Sequence, residues 1–171
     1  MASKQRAGIR VSEEYVEGNP QADPSATELV INVLVAGQLM ANRLDEVLRP
    51  HGLSSSTFTL LQIVAGDLDP VTPSQIASRT PVPVTTATVT GLLDTCERKG
   101  WVVRERHPTD RRMVIVRITD EGRSVLAAAG QEVIAGERRW AASTPPAARE
   151  RLIDALGALA DHLRSPAAAP D

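Results

Sequence analysis

The chain has 171 residues, which is enough for one domain with a substantial apolar core and short for two. Its 19 basic and 21 acidic residues give a net charge of -2, and aromatic residues make up 2% of the chain. So few aromatic side chains argue against a surface that stacks single-stranded nucleic acid. The single cysteine, Cys96, excludes an internal disulfide and favours a reducing compartment.

The two ends of the chain differ from its middle. Residues 1–26 are polar with scattered Pro and Gly, and residues 165–171 are rich in Ala and Pro, so we expect both segments to be flexible. The N-terminal residues lack the apolar run of a secretory signal, and no stretch approaches the roughly 18 apolar residues of a membrane span. The sequence therefore predicts a cytoplasmic protein without membrane contact.

A long helix is the first predicted element. Between Thr27 and Leu48, apolar residues recur at alternating spacings of four and three, which is typical of a helix with a broad apolar face. The positions that define this face are Val30, Leu34, Gly37, Ala41, Leu44 and Leu48. Pro50 and Gly52 end the helix, so residues 27–50 form the first structured region.

Two shorter helices are predicted next. One begins at the Ser54–Thr57 cluster, and residues 67–71 form a turn after it. Thr72, Pro73 and Gln75 then supply an N-cap, a proline at the first helical position and the partner of a capping box. This combination is a compact signal for the start of a short second helix.

The next predicted helix is amphipathic and can be capped by Thr85. Its apolar residues Val89, Leu92, Leu93 and Cys96 share one face, which must be buried. The opposite side and its flanks carry small or polar residues, namely Thr86, Ala87, Thr88, Thr90, Gly91, Asp94 and Arg98. Gly100 ends the helix.

A basic hairpin follows directly. Strands at residues 101–106 and 112–119 flank a turn at Pro108. Residues 98–117 hold seven Lys or Arg against two acidic residues, on a chain whose remainder is acidic. A local positive field of this kind favours docking against phosphate in one orientation.

The C-terminal region contains two more predicted helices. The first is capped by Thr119 and runs to about Trp140, and a Thr-Pro-Pro segment separates it from the second. One side of the last helix is apolar, with Leu152, Ile153, Leu156, Leu159 and Leu163. Because the apolar stripes of the first and last helices exceed what the middle of the chain can cover, we expect a homodimer through residues 27–48 and 120–164.

The order of these elements predicts a mainly α fold with a small β-hairpin wing. We assign residues 54–119 to a winged helix-turn-helix core, and residues 27–50 and 120–164 to N- and C-terminal dimerisation helices. In such a core one helix enters a groove of duplex DNA and the hairpin reaches along the backbone.

Two short motifs add a family resemblance. The hairpin contains Asp110-x-Arg112, and Ile118-Thr119-x-x-Gly122 follows it. With the order of the helices, these motifs resemble the MarR family of bacterial transcriptional regulators over about residues 27–164. The resemblance implies dimeric winged-helix proteins that bind DNA, usually as repressors, many of which release it when a small aromatic acid or an oxidant acts. It also implies that Arg112 reaches the minor groove and that Asp110 anchors the turn of the wing.

Further contacts with duplex DNA are expected from the basic hairpin and the recognition helix. Arg106 and Arg111 can pair with phosphate oxygens. The recognition helix can offer methyl groups to thymine, and hydroxyls to other base edges, from Thr86, Ala87, Thr88 and Thr90.

Two other positions bear on DNA reading. Ser74 and Gln75 begin the preceding helix, whose backbone N–H groups can hold a phosphate. The family often has Arg where this chain has Gly91. We therefore expect the recognition helix to read shape and methyl groups more than guanines.

A small-molecule effector is the remaining partner that the resemblance implies. Arg43, His51 and Trp140 lie near the place where a crevice between the wing domain and the dimer helices should be. They would suit a small aromatic or acidic ligand, whose identity stays open. We expect no cofactor.

Other chemistry has little support in the sequence. The three histidines, at positions 51, 107 and 162, lack metal-ligand spacing, and Cys96 is expected to be a small buried hydrophobe and not a redox sensor. The motifs of metalloproteases, serine hydrolases and phosphate-binding loops are absent, so we do not expect an enzyme. The alternative to a DNA-binding regulator is a winged-helix interaction module whose basic hairpin binds an acidic protein.

Overall fold

The structure is a computed structural model, and it describes residues 8–66, 70–82, 84–110 and 113–165. The helices are α1 (Glu13–Gly18), α2 (Pro24–Leu48), α3 (Ser55–Gly66), α4 (Pro73–Arg79), α5 (Thr86–Arg98), α6 (Asp120–Ala141) and α7 (Pro146–Arg164), with a 3-10 turn at Arg49–His51. The strands β1 (Val102–Arg106) and β2 (Val114–Ile118) form an antiparallel hairpin. The predicted fold class, mainly α with a small β-hairpin, is confirmed. The chain divides into two compact units, Met1–Gln131 and Glu132–Asp171.

Local capping decides where the N-terminal helices begin. Ser12 accepts a hydrogen bond from the backbone N–H of Tyr15 (3.1 Å) and starts α1. Asp23 accepts one from the N–H of Ser25 (2.9 Å), and Pro24 occupies the first turn of α2. The long helix therefore begins three residues before the predicted Thr27.

The segment before α1 is tied to the side of α2. The side chain of Asn32 accepts from the N–H of Ile9 (2.8 Å) and donates to the carbonyl of Ile9 (2.9 Å). Glu28 forms an ion pair with Arg10. Residues 8–26, which we expected to be flexible, thus contain a capped helix and side-chain contacts with α2. Residues 1–7 and 166–171, the rest of the two ends, lie outside the described residues.

The core of the first unit is built from every element between α2 and the hairpin. The largest fully buried side chains are Leu48, Leu60, Leu61, Ile76, Val89, Leu93, Cys96, Val102 and Val116. Burial of a Leu or Ile side chain of this size contributes about 1.5 to 3 kcal/mol. This set confirms the predicted inward face of the amphipathic helix α5 at Val89, Leu93 and Cys96, whereas Leu92 is only half-buried.

Val71 forms an isolated antiparallel β-bridge with Val116 of β2. Its N–H donates to the carbonyl of Val116 (3.3 Å), and its own carbonyl accepts from the N–H of Val116 (2.7 Å). The prediction of a turn at residues 67–71 is therefore wrong at Val71, since pairing with a distant strand fixes its backbone. Residues 67–69 lie outside the described residues.

The junction between wing and α6 explains the Ile118-Thr119-x-x-Gly122 motif. The hydroxyl of Thr119 donates to the carbonyl of Gly100 (2.7 Å) and accepts from the N–H of Gly122 (3.0 Å), so it caps α6 while it closes the hairpin. The N–H of Thr119 donates to the carbonyl of Trp101 (3.0 Å). A Cβ atom on Gly122 would overlap that same carbonyl. Only glycine fits at this close approach.

The middle of α2 leaves its apolar residues uncovered within the chain. Exposed large side chains on this helix include Leu29, Val30, Leu34, Val35, Leu39 and Met40. By length and mean hydropathy (1.2), the segment Pro24–His51 also has the composition of a membrane span, contrary to our expectation that no stretch does. Composition of this kind is weak evidence, because a helix that packs against other protein passes the same test.

The second unit also exposes apolar side chains. On α7 these are Leu152, Ile153, Leu156 and Leu163. Within α6, the ring of Trp140 lies over Gly136, where a Cβ atom would be 3.0 Å from Cζ2 of the tryptophan.

Candidate nucleic-acid interface

The predicted recognition helix α5 has two unlike faces. Val89, Leu93 and Cys96 are completely buried. Ala87 and Gly91 lie on the exposed side, and a Cβ atom on Gly91 would meet nothing within 4 Å. The predicted division of α5 into an inner and an outer face is confirmed. Its outer face offers a smooth surface of small side chains.

The threonine hydroxyls of α5 are partly used inside the helix. Thr90 donates to the carbonyl of Thr86 (2.9 Å), and the hydroxyls of Thr85 and Thr88 are 2.9 Å apart. A hydroxyl that already donates can still accept a hydrogen bond but has no proton left for a base. Thr90 therefore has its methyl group and an acceptor oxygen to offer, which suits the expectation of methyl contacts.

At the start of α4, the capping box confirms the predicted helix start and also occupies Gln75. The N–H of Gln75 donates to the hydroxyl of Thr72 (3.2 Å), and Oε1 of Gln75 accepts from the N–H of Thr72 (2.8 Å). The N–H of Gln75 is therefore not available to the phosphate that we expected it to hold. Ser74, the other residue predicted here, is exposed.

A histidine that we had not singled out shapes the turn of the wing. Nδ1 of His107 accepts from the N–H of Thr109 (3.3 Å) and from the N–H of Asp110 (3.3 Å). The backbone closes the turn by a bond from the N–H of Met113 to the carbonyl of Asp110 (3.0 Å). Asp110 thus lies in the turn that it was predicted to anchor, and His107, three residues earlier, supplies an acceptor there. In the sequence, the available signal for this contact was a histidine placed two and three residues before the turn residues Thr109 and Asp110.

Of the three hairpin arginines predicted to contact DNA, the structure describes Arg106. Arg106 ends β1 and is exposed. Arg111 and Arg112, the predicted wing-tip residues, lie outside the described residues. In the register of the two strands, Arg106 pairs with Val114.

Arg104 ties the wing to α5. Its guanidinium pairs with Asp94 (Nη1 to Oδ1, 2.5 Å) and Glu97 (Nη1 to Oε2, 3.3 Å), and it donates to the carbonyl of Thr90 (Nη2 to O, 3.0 Å). Its side chain is only 23% exposed. Sequence reasoning missed this contact because the partners lie on another element. The signal for this contact in the sequence was the pair of acidic residues, Asp94 and Glu97, near the end of α5 that precedes the wing.

Among the described cations of residues 98–117, Lys99, Arg104 and Arg117 each have a partner on another element. Arg104 neutralises acids of α5, and Arg117 pairs with Glu105 (3.1 Å). Lys99 donates to the carbonyl of Gly52 (2.5 Å) and lies 4.5 Å from the centroid of the Trp101 ring. The positive field expected from the sequence is thus smaller than the count of cations indicates.

Cys96 behaves as a buried hydrophobe. It is completely buried in the inner face of α5, and desolvation raises the pKa of its thiol to about 11. A thiol with so high a pKa contains almost no thiolate at neutral pH, and the thiolate is the reactive form. Among the described residues, no group of three His, Cys, Asp or Glu could hold a metal ion.

The residues predicted to line a ligand crevice have separate surroundings. Arg43 is exposed on α2 and pairs with Glu46 (2.7 Å). His51 is half-buried in the 3-10 turn. Both belong to the first unit, whereas Trp140 belongs to the second. An acidic ligand at Arg43 would have to replace Glu46.

The sequence of elements in the first unit defines a class of protein. A short capped helix, a helix with an exposed polar face and an antiparallel hairpin tied to that helix make a winged helix-turn-helix protein. Residues 51–113 match the family model described as the MarR family.

Two curated relatives cover most of the chain. The HTH-type transcriptional repressor YetL of Bacillus subtilis (strain 168) is 31% identical over 114 residues, which are 66% of this chain and 67% of the relative. The HTH-type transcriptional regulator PecS of Dickeya dadantii (strain 3937) is 30% identical over 138 residues, which are 79% of this chain and 82% of the relative. The chain belongs to the MarR family, whose members are transcriptional regulators and not enzymes.

Solved structures show the same fold. The transcriptional repressor CouR bound to a 23-mer DNA duplex has a TM-score of 0.70 and 27% identity, over 79% of this chain and 94% of that chain. CouR from Rhodococcus jostii RHA1 bound to p-coumaroyl-CoA has a TM-score of 0.69 and 23% identity, over 81% of this chain and 96% of that chain.

Proposed function

We propose that this protein is a cytoplasmic homodimer that binds a near-palindromic site in duplex DNA, represses transcription and responds to a small molecule. The single observation that carries the proposal is the contrast between the two faces of α5. Val89, Leu93 and Cys96 on one face are buried, and the other face presents Ala87 and Gly91 to solvent beside a cationic hairpin.

In this proposal α5 lies in the major groove. Small side chains at the centre of its outer face let the helix approach base edges closely, and threonine methyl groups meet thymine methyl groups. Asp94 would repel phosphate if it were alone, but its pairing with Arg104 removes that charge from the interface. The side chains assigned to the groove are Thr86, Ala87, Thr88 and Thr90, with Gly91 at the closest approach.

The wing supplies the contacts with the DNA backbone and the minor groove. Arg106 is exposed where β1 meets the turn, and His107 accepts hydrogen bonds from the backbone N–H groups of Thr109 and Asp110. A guanidinium that enters a narrow minor groove gains from its negative potential. The role of Arg112 in that groove rests on the family resemblance, and Arg111 would contact phosphate beside it. Ser74 is the proposed phosphate contact of α4.

The exposed apolar side chains of α2 and of α7 support a homodimer. Monomeric proteins rarely leave large continuous apolar patches in water. A two-fold axis would place two copies of α5 about 34 Å apart, which matches successive major grooves and demands a near-palindromic site. A homodimer in the cytoplasm also accounts for the membrane-like composition of α2, since a partner subunit would cover it.

Repression and ligand response are carried over as proposals from named relatives. YetL is a repressor, and CouR is a repressor with structures bound to DNA and to p-coumaroyl-CoA. A ligand that shifts the two recognition helices relative to each other would change the register between half-sites.

The first test is the substitution Arg112→Ala, measured by fluorescence anisotropy on a fragment from upstream of the chain's own gene. We expect operator binding to weaken by about 1 to 3 kcal/mol, which is roughly 5- to 150-fold, with an unchanged melting temperature. Arg117→Ala is the matched control. It removes the same charge from the same hairpin, but Arg117 is already paired with Glu105. Equal losses for the two variants would show that only overall charge matters.

Salt dependence separates DNA reading from the alternative of an acidic protein partner. Binding to random duplex should fall steeply as salt rises, and the upstream fragment should compete far better than random duplex. Equal competition by every duplex would overturn sequence-specific regulation and favour the interaction module.

A further inference from the structure

The connection between α2 and α3 is short and closely bonded. It consists of residues 49–54, which we call the α2–α3 linker, and contains the 3-10 turn followed by Gly52 in the left-handed conformation (φ 70°). The N–H of Leu53 donates to the carbonyl of Leu48 (3.2 Å), and both side chains are buried. Two further polar contacts reach across this linker, one from α2 and one from α5.

The first contact comes from Asp45, near the end of α2. Its Oδ1 accepts a hydrogen bond from the N–H of Ser55 (2.9 Å), the first residue of α3. Asp45 is half-buried, and a negative charge at the N-terminus of a helix is stabilised by the helix dipole. The carboxylate therefore joins the end of one helix to the start of the next.

The second contact comes from Lys99, the C-cap of α5. Its Nζ donates to the carbonyl of Gly52 (2.5 Å) and lies 4.5 Å from the centroid of the Trp101 ring. Trp101 is itself held in place, since it is 7% exposed and its N–H donates to the carbonyl of Cys96 (2.9 Å). The ammonium group thus lies between a buried ring at the base of the wing and the middle of the linker.

Polar and apolar contacts restrain the linker in different ways. Burial of Leu48 and Leu53 holds it against the core, but the hydrophobic effect has no preferred direction. A hydrogen bond weakens steeply when its angle changes. The contacts of Asp45 and Lys99 therefore restrain the direction in which α2 leaves the winged core.

We propose that Asp45 and Lys99 are positioning residues that determine which half-site spacing the protein accepts, because they fix α5 relative to α2. This inference rests on the proposed function, in which α2 joins the two subunits and α5 reads each half-site. One added base pair moves a half-site by about 3.4 Å along the duplex and turns it by about 35°. A dimer with restrained linkers cannot follow that displacement, whereas a dimer with released linkers can follow part of it.

The main test variant is Lys99→Met, which keeps a long apolar side chain over Trp101 and removes the donor to Gly52. Arg98→Met is the matched control. It removes the same charge from the last turn of α5, where the guanidinium of Arg98 lies 3.4 Å from the hydroxyl of Thr95 on the same helix.

Hydrogen exchange of the full-length protein, measured by mass spectrometry without DNA, tests whether the linker is held. We expect exchange at residues 49–55 to be at least about tenfold faster in Lys99→Met and unchanged in Arg98→Met, with wild-type rates in the middle of α5 in both variants. Wild-type exchange of the linker in Lys99→Met would overturn the role of Lys99.

Asp45→Ala tests the other contact by the same measurement. We expect faster exchange at Ser55 in this variant and an unchanged rate in Glu46→Ala, its control. Glu46 is the neighbouring acid of α2, and it pairs with Arg43 of the same helix (2.7 Å). Equal exchange in the two variants would overturn the role of Asp45.

The spacing itself is tested with three duplexes made from the upstream fragment. They carry identical half-sites, with the natural spacer or with one base pair more or less. For the wild type and Arg98→Met we expect binding at least about 30-fold weaker to either altered duplex, and for Lys99→Met at most about fivefold weaker.

The ratio of affinities separates positioning from charge. A loss in Lys99→Met by one factor on all three duplexes would show that only its charge matters, which overturns the spacing role. A wild type that binds no duplex contradicts the proposed function, and hydrogen exchange then still decides whether Lys99 and Asp45 hold the linker.

Discussion

The helices α5 and α2 are both amphipathic by sequence, but the chain treats their apolar faces differently. The apolar face of α5 is completely buried at Val89, Leu93 and Cys96. On α2 only Leu48, at the C-terminal end, is buried, whereas Leu34 is 66% exposed. The first unit therefore covers the apolar face of α5 at these positions and leaves most of the apolar side chains of α2 exposed.

The contrast indicates what each helix is for. A helix whose inner face is fully covered can present its outer face to a ligand in a fixed position, as DNA reading requires. A helix whose apolar side chains remain in water loses about 1.5 to 3 kcal/mol for each large residue left uncovered. In the proposed homodimer, the partner subunit would provide the cover that α2 lacks.

The prediction with the largest expected effect tests the exposed apolar face of α2, by placing a charge on it. Because Leu34 is exposed in the single chain, Leu34→Asp should cost a monomer almost nothing. In a homodimer through α2 it buries two unpaired carboxylates, at several kcal/mol each. We expect dimer dissociation to increase by at least about 100-fold, measured by sedimentation velocity over a range of concentrations.

Asn42→Asp is the matched control for that experiment. It adds the same charge to the same helix on the side where Gln38 and Asn42 form a side-chain hydrogen bond (2.9 Å). This variant should stay dimeric. An intact dimer of Leu34→Asp would show that the exposed residues of α2 face no partner, and the proposed dimer would then need another surface.

The contrast also shows what local sequence can and cannot predict. The start of α4 was predictable because Thr72, Pro73 and Gln75 are neighbours whose capping bonds depend on no other element. The start of α2 at Pro24 could have been predicted in the same way, from Asp23 as its cap. Our placement of the start of this helix at Thr27 gave the apolar period more weight than capping.

Contacts between distant segments were beyond such reasoning. The bridge from Val71 to Val116 and the ion pairs of Arg104 join residues that are close only after folding. The outer face of α5 was predictable from the helical periodicity of the sequence, because small residues recur on the side opposite the apolar residues. Which of its hydroxyls remain available was not predictable, since that depends on rotamers such as the one that joins Thr90 to the carbonyl of Thr86.

The second prediction tests how firmly α5 is fixed. Arg104→Met removes the tie between the wing and α5 while it keeps a long apolar side chain. Asp94 and Glu97 are 56% and 41% exposed, so solvent weakens each pair. We therefore expect a loss of about 1 to 2 kcal/mol in the free energy of unfolding, from urea denaturation, together with weaker operator binding. Binding suffers because two acids beside the DNA lose their counter-charge.

Arg117→Met is the control for this variant. Both members of its pair with Glu105 are 49% exposed, and such surface pairs contribute about 0 to 1 kcal/mol. Equal losses of stability in the two variants would mean that Arg104 is an ordinary surface cation. In that case the wing is held to α5 by apolar packing alone.

The smallest expected effect concerns the outer face of α5 itself. Gly91 lies in the middle of the helix, where glycine costs about 0.5 to 1 kcal/mol relative to alanine, and an added Cβ atom would meet nothing within 4 Å. Gly91→Ala should therefore stabilise the protein and raise its melting temperature by about 2 to 3 °C in differential scanning calorimetry. Within a DNA groove the same methyl group occupies the place of closest approach, so operator binding should weaken. A more stable variant with unchanged operator affinity would show that Gly91 does not face DNA, and the groove-reading surface would then have to lie nearer Thr86.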